Sequence, residues 1–314
     1  MKKISMALCT LMSMFIISCE NLPDEQFEKR VVFTKNGFVD WEINYDETGL
    51  DTTNVSVSVS GTSVLGGDVT VDFVLNPDTL ASYNLEKFRG KEELYYKILP
   101  NNCYKFLSEN VTIKSGTEYA LLPIEINMSN IDKYGNYVLP LRIDKVSSCS
   151  VGLPLYTTVM MNILLKNSFS GFYNVSGKLK DKSDNSELDM ASFKKTLRVI
   201  NDNTCYLYIG NVEETNVNRA TYIVEVTFNN NGTLSYKALN SEAISFSCPE
   251  PNLDSDINTW ERTISQNTAG GKDDLLTIKL NMQYTYKDIT DPAVPIEREF
   301  KGALVMNTTT SKEK

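Results

Sequence analysis

A tryptophan and several polar side chains lie close together in a stretch of sequence without hydrophobic periodicity. Trp260 falls between Pro249 and Gly271, where few other large apolar residues occur. Long loops within compact domains are usually functional, so we expect an exposed binding loop here. The indole offers a stacking surface to a sugar or a partner protein; alternatively, the ring covers the hydrophobic core. The candidate ligand-binding residues are Trp260, Asp254, Asp256, Asn258, Glu261 and Arg262.

Three of these residues also have the alternate spacing of a calcium loop. A calcium loop has oxygen side chains at its first, third and fifth positions, which here would be Asp254, Asp256 and Asn258. The glycine and the final glutamate of an EF-hand loop are missing from the sequence that follows. We therefore interpret the segment as a solvated polar loop, and we predict neither a metal site nor a cofactor.

The chain contains no histidine. This absence excludes Ser-His-Asp and Cys-His catalysis, together with the histidine-containing types of zinc site. A glycosidase would still be possible through two carboxylates, but no pair stands out among the 40 acidic residues. We predict no catalytic residues and a protein that is not an enzyme.

The first 19 residues have the pattern of an export signal. Lys2 and Lys3 precede an apolar run that ends in Ile16-Ile17-Ser18-Cys19. This ending resembles the bacterial lipobox, which implies that the Cys19 sulfur carries the lipid of the mature N-terminus. The apolar run is too short to span a membrane, so we expect attachment through the lipid anchor only. The polar residues 20–29 are interpreted as a tether, and their acidic start fits either a plain linker or a surface-export signal.

Length and charge define the organisation further. A chain of 314 residues suggests two domains, and the polar residues around Lys166 suggest a division into 30–166 and 167–314. The net charge of −9 argues against nucleic acid as a partner. An exported protein can form disulfides, so the pairs Cys103–Cys149 and Cys205–Cys248 are possible; buried free thiols are the alternative.

Alternation of apolar and polar residues predicts β-strands in both halves. In the first half it runs through Trp41, Val57 and Val71, and only residues 79–97 favour a helix. Trp41 is in phase with the apolar positions and is predicted to be in the core. In the second half the longest alternation runs from Leu276 to Tyr286, which predicts a strand with one buried face.

Short strings in the first half resemble a known family. Tyr83-Asn84, Leu99-Pro100, Val111-Thr112-Ile113 and the segment 137–143 occur in order behind the lipobox. Together they look like the N-terminal immunoglobulin-like domain of unknown function of Bacteroidetes surface lipoproteins. That domain is found before endo-β-N-acetylglucosaminidase and LamG domains in polysaccharide-utilisation systems. Residues 167–314 resemble the lipocalin-like domain that often follows it.

The resemblance implies an all-β fold, with an immunoglobulin-like sandwich followed by a lipocalin-like antiparallel barrel or half-barrel. It also implies a lipid-anchored outer-membrane protein that faces the cell exterior, with a glycan as ligand and SusC/SusD-like proteins as possible partners. We therefore predict non-catalytic glycan binding as an accessory of polysaccharide utilisation. The alternatives are a structural or adhesive protein that binds a protein partner and, third, a carboxylate-dependent glycosidase.

Overall fold

The computed structural model describes residues 27–46, 48–61, 65–266, 273–291 and 296–311. The predicted signal segment, Cys19 and most of the tether lie outside the described residues. Strands dominate the described residues, which contain a single α-helix. The all-β prediction is thereby confirmed: a two-sheet sandwich is followed by a nearly closed barrel sheet. No helix in the described residues is both long and apolar enough to span a membrane.

The first domain is a sandwich of two curved sheets. One sheet has the spatial order β10-β1-β3-β8-β6 and the other β2-β11-β9-β4-β7, with β5 beside β9. In chain order the strands are β1 (Arg30–Phe33), β2 (Gly37–Asn44), β3 (Leu50–Ser60), β4 (Val69–Leu75), β5 (Lys97–Ile98), β6 (Tyr104–Phe106), β7 (Asn110–Ile113), β8 (Tyr119–Asn127), β9 (Tyr137–Val146), β10 (Ser150–Val151) and β11 (Thr158–Lys166).

The core of this domain lies between the two sheets. Strand β2 runs parallel to β11 and turns Trp41 and Ile43 towards the core, so Asp40 and Glu42 face outward. The prediction that Trp41 packs on the core is confirmed, since its ring lies against the buried cluster. The indole N–H donates to Thr53 Oγ1 at 2.5 Å, which satisfies the polar group of the ring.

A helix, α1 (Pro77–Phe88), packs on the outer face of the second sheet. The sequence predicts helical structure within residues 79–97; the structure confirms an α-helix there, but the helix ends at Phe88. Pro77 suits the first helical position because its fixed φ fits and no N–H is needed there. Leu80 contacts Val138 and Met160 of the sheet, and this contact fixes which side of the helix faces solvent.

The second domain is a single highly curved sheet. Its spatial order is β17-β16-β15-β14-β12-β21-β20-β18, with β13 beside β12 and β19 beside β20. The two ends, β17 and β18, approach each other and nearly close the barrel. The strands are β12 (Gly171–Asp181), β13 (Glu187–Asp189), β14 (Lys194–Asn201), β15 (Thr204–Tyr208), β16 (Ile223–Phe228), β17 (Leu234–Ala238), β18 (Ile244–Ser247), β19 (Thr259–Ser265), β20 (Asp273–Asp288) and β21 (Ile296–Ser311).

The barrel is filled by side chains. The predicted alternation from Leu276 to Tyr286 is confirmed, because every second residue of β20 in this span is buried in the barrel core. Where β12 crosses β21, Gly177 pairs with Gly302, and a Cβ on Gly177 would lie 2.4 Å from the Lys301 carbonyl oxygen. Glycine is therefore required for the close strand approach at this point.

All four cysteines in the described residues are free. Cys103 and Cys205 are buried, whereas Cys149 and Cys248 are exposed, so the two members of each possible pair lie in different environments. The structure therefore agrees with the alternative of unpaired thiols. Burial raises the pKa of Cys205 to about 12, so this thiol is neutral and packs as a small apolar group.

Candidate functional site

A cleft lies at the junction of the two domains. Its cavity volume is about 120 Å³, and it is open to solvent on one side. This volume is below the range of about 300–1,000 Å³ that is usual for sites enclosing a whole ligand, so the cleft can hold only part of one. The first domain contributes Asp40, Glu42 and Lys166 together with five residues of the segment 131–137, and the second domain contributes Phe172, Thr196, Arg198 and Tyr206.

The first wall of the cleft is acidic. Because Trp41 and Ile43 face the core, Asp40 and Glu42 must project from the outer face of β2. Asp40 Oδ1 accepts a hydrogen bond from Asn162 Nδ2 at 2.7 Å, and Lys166 Nζ lies 3.4 Å from Glu42 Oε1. Both carboxylates keep further acceptor positions, because an ionised carboxylate has about four lone-pair sites.

Phe172 is the exposed aromatic residue of the cleft. Its neighbour Tyr173 points into the barrel, so alternation along β12 places Phe172 on the outer face. The side chain is 74% exposed, although Phe is normally among the more buried residues. Phe172 also borders a second depression of about 390 Å³, which is lined by Lys195, Tyr208 and Glu214, among others. The ring thus borders two depressions whose lining is mainly apolar and includes charged side chains.

Arg198 forms the opposite wall and links the domains. Its guanidinium donates to Asn136 Oδ1 of the first domain at 3.2 Å and to Glu214 Oε2 at 3.1 Å. Burial opposes the charge, but Glu214 and the nearby tyrosine oxygens outweigh burial and raise the pKa of Arg198. The Arg198 Nε–H has no hydrogen-bond partner among the described residues, so one buried donor remains for a ligand or water.

A second polar contact holds the junction together. The Tyr134 hydroxyl of the first domain donates to the Glu225 carboxylate on the outer face of the barrel. Burial and this hydrogen bond raise the pKa of Tyr134, so its hydroxyl keeps its proton. The ring of Tyr134 lies 5.3 Å from that of Tyr206, within the usual range for aromatic pairs. The cleft walls are thus held in place from both sides.

The residues predicted to bind ligand lie elsewhere, at the edge strand β19 and the turn before it. Asp254 and Asp256 are exposed in this turn, which is closed by a bridge between Asn252 and Ile257. Asn258 is completely buried, and its Oδ1 accepts from Tyr236 Oη at 3.0 Å and from the Gln283 N–H at 2.8 Å. Its amide group therefore holds the turn against the barrel.

The prediction of one continuous loop up to Gly271 is wrong, because Thr259–Ser265 forms strand β19 against β20. Trp260 lies on this strand, edge-on to Phe169 and Phe228 at centroid distances of 5.1 and 5.7 Å. Its indole N–H donates to the Asn229 carbonyl oxygen at 2.9 Å. The ring covers one part of the barrel core, which agrees with the alternative interpretation of Trp260. Glu261 and Arg262 are exposed, and Lys279 Nζ lies 3.3 Å from Glu261 Oε1.

Ligand binding by Trp260 stays a prediction that one substitution tests. Trp260→Ala removes an indole that packs on two rings and loses its hydrogen bond, so we expect a loss of about 2 kcal/mol in unfolding free energy. Chemical denaturation measures this loss. Arg262→Ala on the same strand is the control and should change stability by less than about 0.5 kcal/mol. Unchanged stability together with weaker ligand binding would instead assign the ring to a binding site.

The sequence carried a usable signal for the residues that the prediction missed. Since Tyr173 and Leu197 face the barrel core, Phe172 and Arg198 have to face outward. An outward-facing Phe beside an outward-facing Arg on paired strands is an unusual surface. Alternation cannot predict where the first domain lies against this outer face of the barrel.

Fold and cleft define a class: two-domain all-β proteins with a sandwich, a nearly closed barrel and a solvent-open cleft at the junction. Residues 22–147 match the profile of DUF4973, a domain of unknown function, and residues 157–305 match a BT3044-like C-terminal domain. Two family models thus match successive parts of the chain. The lipocalin-like assignment and the lipid anchor stay predictions.

Solved structures from Bacteroides share the whole fold. A Bacteroides ovatus protein of unknown function has a TM-score of 0.77 at 23% identity, covering 89% of this chain and 95% of its own. Another from the same species has a TM-score of 0.74 at 26% identity, with coverages of 90% and 93%. An auxiliary nutrient binding protein from Bacteroides thetaiotaomicron has a TM-score of 0.71 at 23% identity, with coverages of 87% and 91%. No curated protein matches the chain.

Proposed function

We propose that this protein is a non-catalytic, glycan-binding accessory of nutrient uptake, and that the glycan binds in the cleft beside Phe172. The observation that carries the proposal is the exposed Phe172 ring at the border of two depressions that include charged side chains. A sugar ring has an apolar face that stacks on an aromatic ring and hydroxyls that bond to carboxylates and guanidinium groups. Asp40, Glu42 and Arg198 supply such groups beside the ring.

The cellular setting of the proposal follows from the sequence. The Cys19 sulfur carries the lipid that holds the protein at the outer membrane, facing the cell exterior. A nutrient-binding role is supported by the similarity to the auxiliary nutrient binding protein of Bacteroides thetaiotaomicron. SusC/SusD-like outer-membrane proteins are the partners to which a captured glycan would pass. Since the chain has no histidine, turnover of a glycan would need a pair of carboxylates.

A glycan array followed by titration calorimetry tests the site. We expect Phe172→Ala to weaken binding of the selected glycan about 30-fold, which corresponds to about 2 kcal/mol for an aromatic anchor. The melting temperature should change little, because the Phe172 side chain is mostly in water.

Leu239→Ala is the matched control, since Leu239 is also an exposed apolar residue of the second domain but lines neither depression. If the wild type and Phe172→Ala bound the glycan with equal affinity, the cleft would not be the binding site. Release of shorter sugars from the bound glycan would contradict the non-catalytic assignment and favour the glycosidase alternative. Binding of no glycan would favour the adhesive alternative.

A further inference from the structure

A group of aromatic rings on the first domain surrounds a lysine. Lys87 Nζ lies 4.9 Å from the ring centroid of Phe38, 5.2 Å from Tyr83, 5.5 Å from Phe88 and 5.0 Å from Tyr96. Distances below about 6 Å are those of favourable cation–π contacts. We call these five residues the lysine cage. None of them lines the cleft at the domain junction.

The local fold builds the cage in a fixed position. Strand β2 contributes Phe38 from the outer face of the sheet, where it stacks on Tyr83 at 4.6 Å and 10°. Asn84 is buried, and its amide donates to the Tyr96 carbonyl oxygen at 2.8 Å while accepting from the Tyr96 N–H at 3.0 Å. This double contact fixes the chain at Tyr96 against α1.

The hydrogen bonds of the cage leave donors without acceptors. Lys87 Nζ donates to Tyr83 Oη at 3.1 Å and to Tyr96 Oη at 3.2 Å. An ammonium group has three donors, and a phenol that accepts a bond still has its own proton to donate. Within the described residues neither hydroxyl donates to an acceptor, and no carboxylate lies within ion-pair distance of Lys87. One ammonium proton and two phenol protons are therefore available to a ligand.

The charge at this place is permanent. Burial acts to lower the pKa of Lys87, but the hydrogen bonds to Tyr83 and Tyr96 outweigh it, and the pKa is raised above the ordinary value. The rings also restrain the lysine side chain, so a ligand that binds to it has less rotamer freedom to remove. A fixed cation flanked by hydroxyl donors is suited to an oxyanion.

We infer that the lysine cage is a second binding site, which takes the carboxylate or sulfate of an acidic sugar. Lys87 and the two phenol groups would donate to the oxyanion. The half-buried rings of Phe88 and Tyr95, 6.0 Å apart, lie beside them and offer an apolar surface for the sugar ring. The net charge of −9 disfavours long polyanions, so a short acidic oligosaccharide fits best. The assignment of the ligand as a sugar rests on the proposed function. The assignment of its charged group as an oxyanion rests on the geometry of the lysine cage.

Titration calorimetry of the whole protein with three oligosaccharide probes tests the inference. The probes are a galacturonate tetrasaccharide, its fully methyl-esterified form, and a sulfated galactan tetrasaccharide. We expect at least one of the two charged probes to bind ten-fold or more tightly than the methyl ester, since the ester keeps the shape but loses the charge. Comparison of the two charged probes then shows whether the cage prefers carboxylate or sulfate, since the preferred group gives the tighter binding.

Substitutions then assign the binding to the cage. Lys87→Met keeps the length of the side chain and should abolish the preference for the charged probe, whereas Lys87→Arg should retain most of it. Tyr83→Phe and Tyr96→Phe should each weaken binding several-fold, because each removes one donor and keeps the ring. Lys91→Met removes an exposed lysine outside the cage and is the matched control.

The thermal midpoint of every variant is measured alongside, which separates loss of binding from loss of folding. Equal affinity for the acid and its ester would overturn the inference, as would unchanged binding by Lys87→Met. If neither charged probe binds while a neutral glycan binds in the Phe172 cleft, the cage only stabilises the end of α1, and the proposed function stands without it. Tight charged-probe binding that Phe172→Ala leaves unchanged supports the cage and leaves the cleft to be tested separately.

Discussion

Leu280→Asp is expected to unfold the second domain. Leu280 lies in the middle of β20 and is completely buried in the barrel core. Replacement of a buried Leu by a smaller side chain costs about 2–5 kcal/mol, and an uncompensated buried carboxylate adds about 3–5 kcal/mol. The sum is comparable to the whole stability of a typical domain, about 5–15 kcal/mol. Near-ultraviolet circular dichroism and differential scanning calorimetry should show the loss of one of the cooperative transitions.

The same strand offers a control with the same change. Leu275→Asp places the new carboxylate at a position that is 42% exposed, where water solvates it. We expect a change of less than about 1 kcal/mol, as is usual for surface substitutions. If Leu275→Asp proved as damaging as Leu280→Asp, the assignment of buried and exposed faces along β20 would be wrong.

The long strand illustrates what the sequence can predict. From Leu276 to Tyr286 each apolar residue alternates with a polar one, and only one arrangement buries all the apolar groups on one face. The hairpin at Asn229–Gly232 is predictable for a similar reason: local turn chemistry determines it, and Gly232 takes the positive φ of 83° that the turn requires. Such features depend on neighbouring residues alone.

Strand β19 illustrates where this reasoning fails. Its residues Trp260 to Ser265 are mostly polar and show no clear alternation, so the sequence suggests a loop. In the structure the strand forms because the long β20 provides a row of backbone partners from Leu275 to Asn281. Strand propensity depends strongly on such context, and the context comes from residues that are distant in sequence. The position of Trp260 against Phe169 and Phe228 follows from this pairing.

The two proposed binding sites lay beyond sequence reasoning for the same physical reason. The cleft needs the outer face of β14 to meet residues 131–137 of the other domain, as in the contact of Arg198 with Asn136. The lysine cage needs a parallel pairing of β2 with β11, which places Phe38 beside Met160 and under α1. Alternation predicts that Phe172 and Phe38 face outward, but it cannot predict what they face.

The second depression beside Phe172 leads to a prediction about pH. Lys195 is buried with Nζ donating to the Val212 carbonyl oxygen at 2.7 Å, and burial lowers the pKa of Lys195 to about 8. In the unfolded chain the ordinary value is about 10.4, so between these two values the unfolded state binds the proton and the folded state does not. Stability therefore rises with pH in this window. Each pH unit contributes about 1.4 kcal/mol, so this group should add about 2 kcal/mol between pH 7.5 and 9.5.

Other groups titrate in the same window, and a difference measurement removes them. Burial raises the pKa of Cys205 and Tyr173, which lowers stability as the pH increases and would hide the lysine in the wild type alone. Lys195→Met keeps the apolar stem and removes the amine. The unfolding free energy of the wild type minus that of Lys195→Met should therefore rise by about 2 kcal/mol from pH 7.5 to 9.5. Lys194→Met, at the exposed neighbouring position, is the matched control. A difference that stays flat with pH would mean that the pKa of Lys195 in the folded protein is close to its ordinary value and that its amine stays charged across this range.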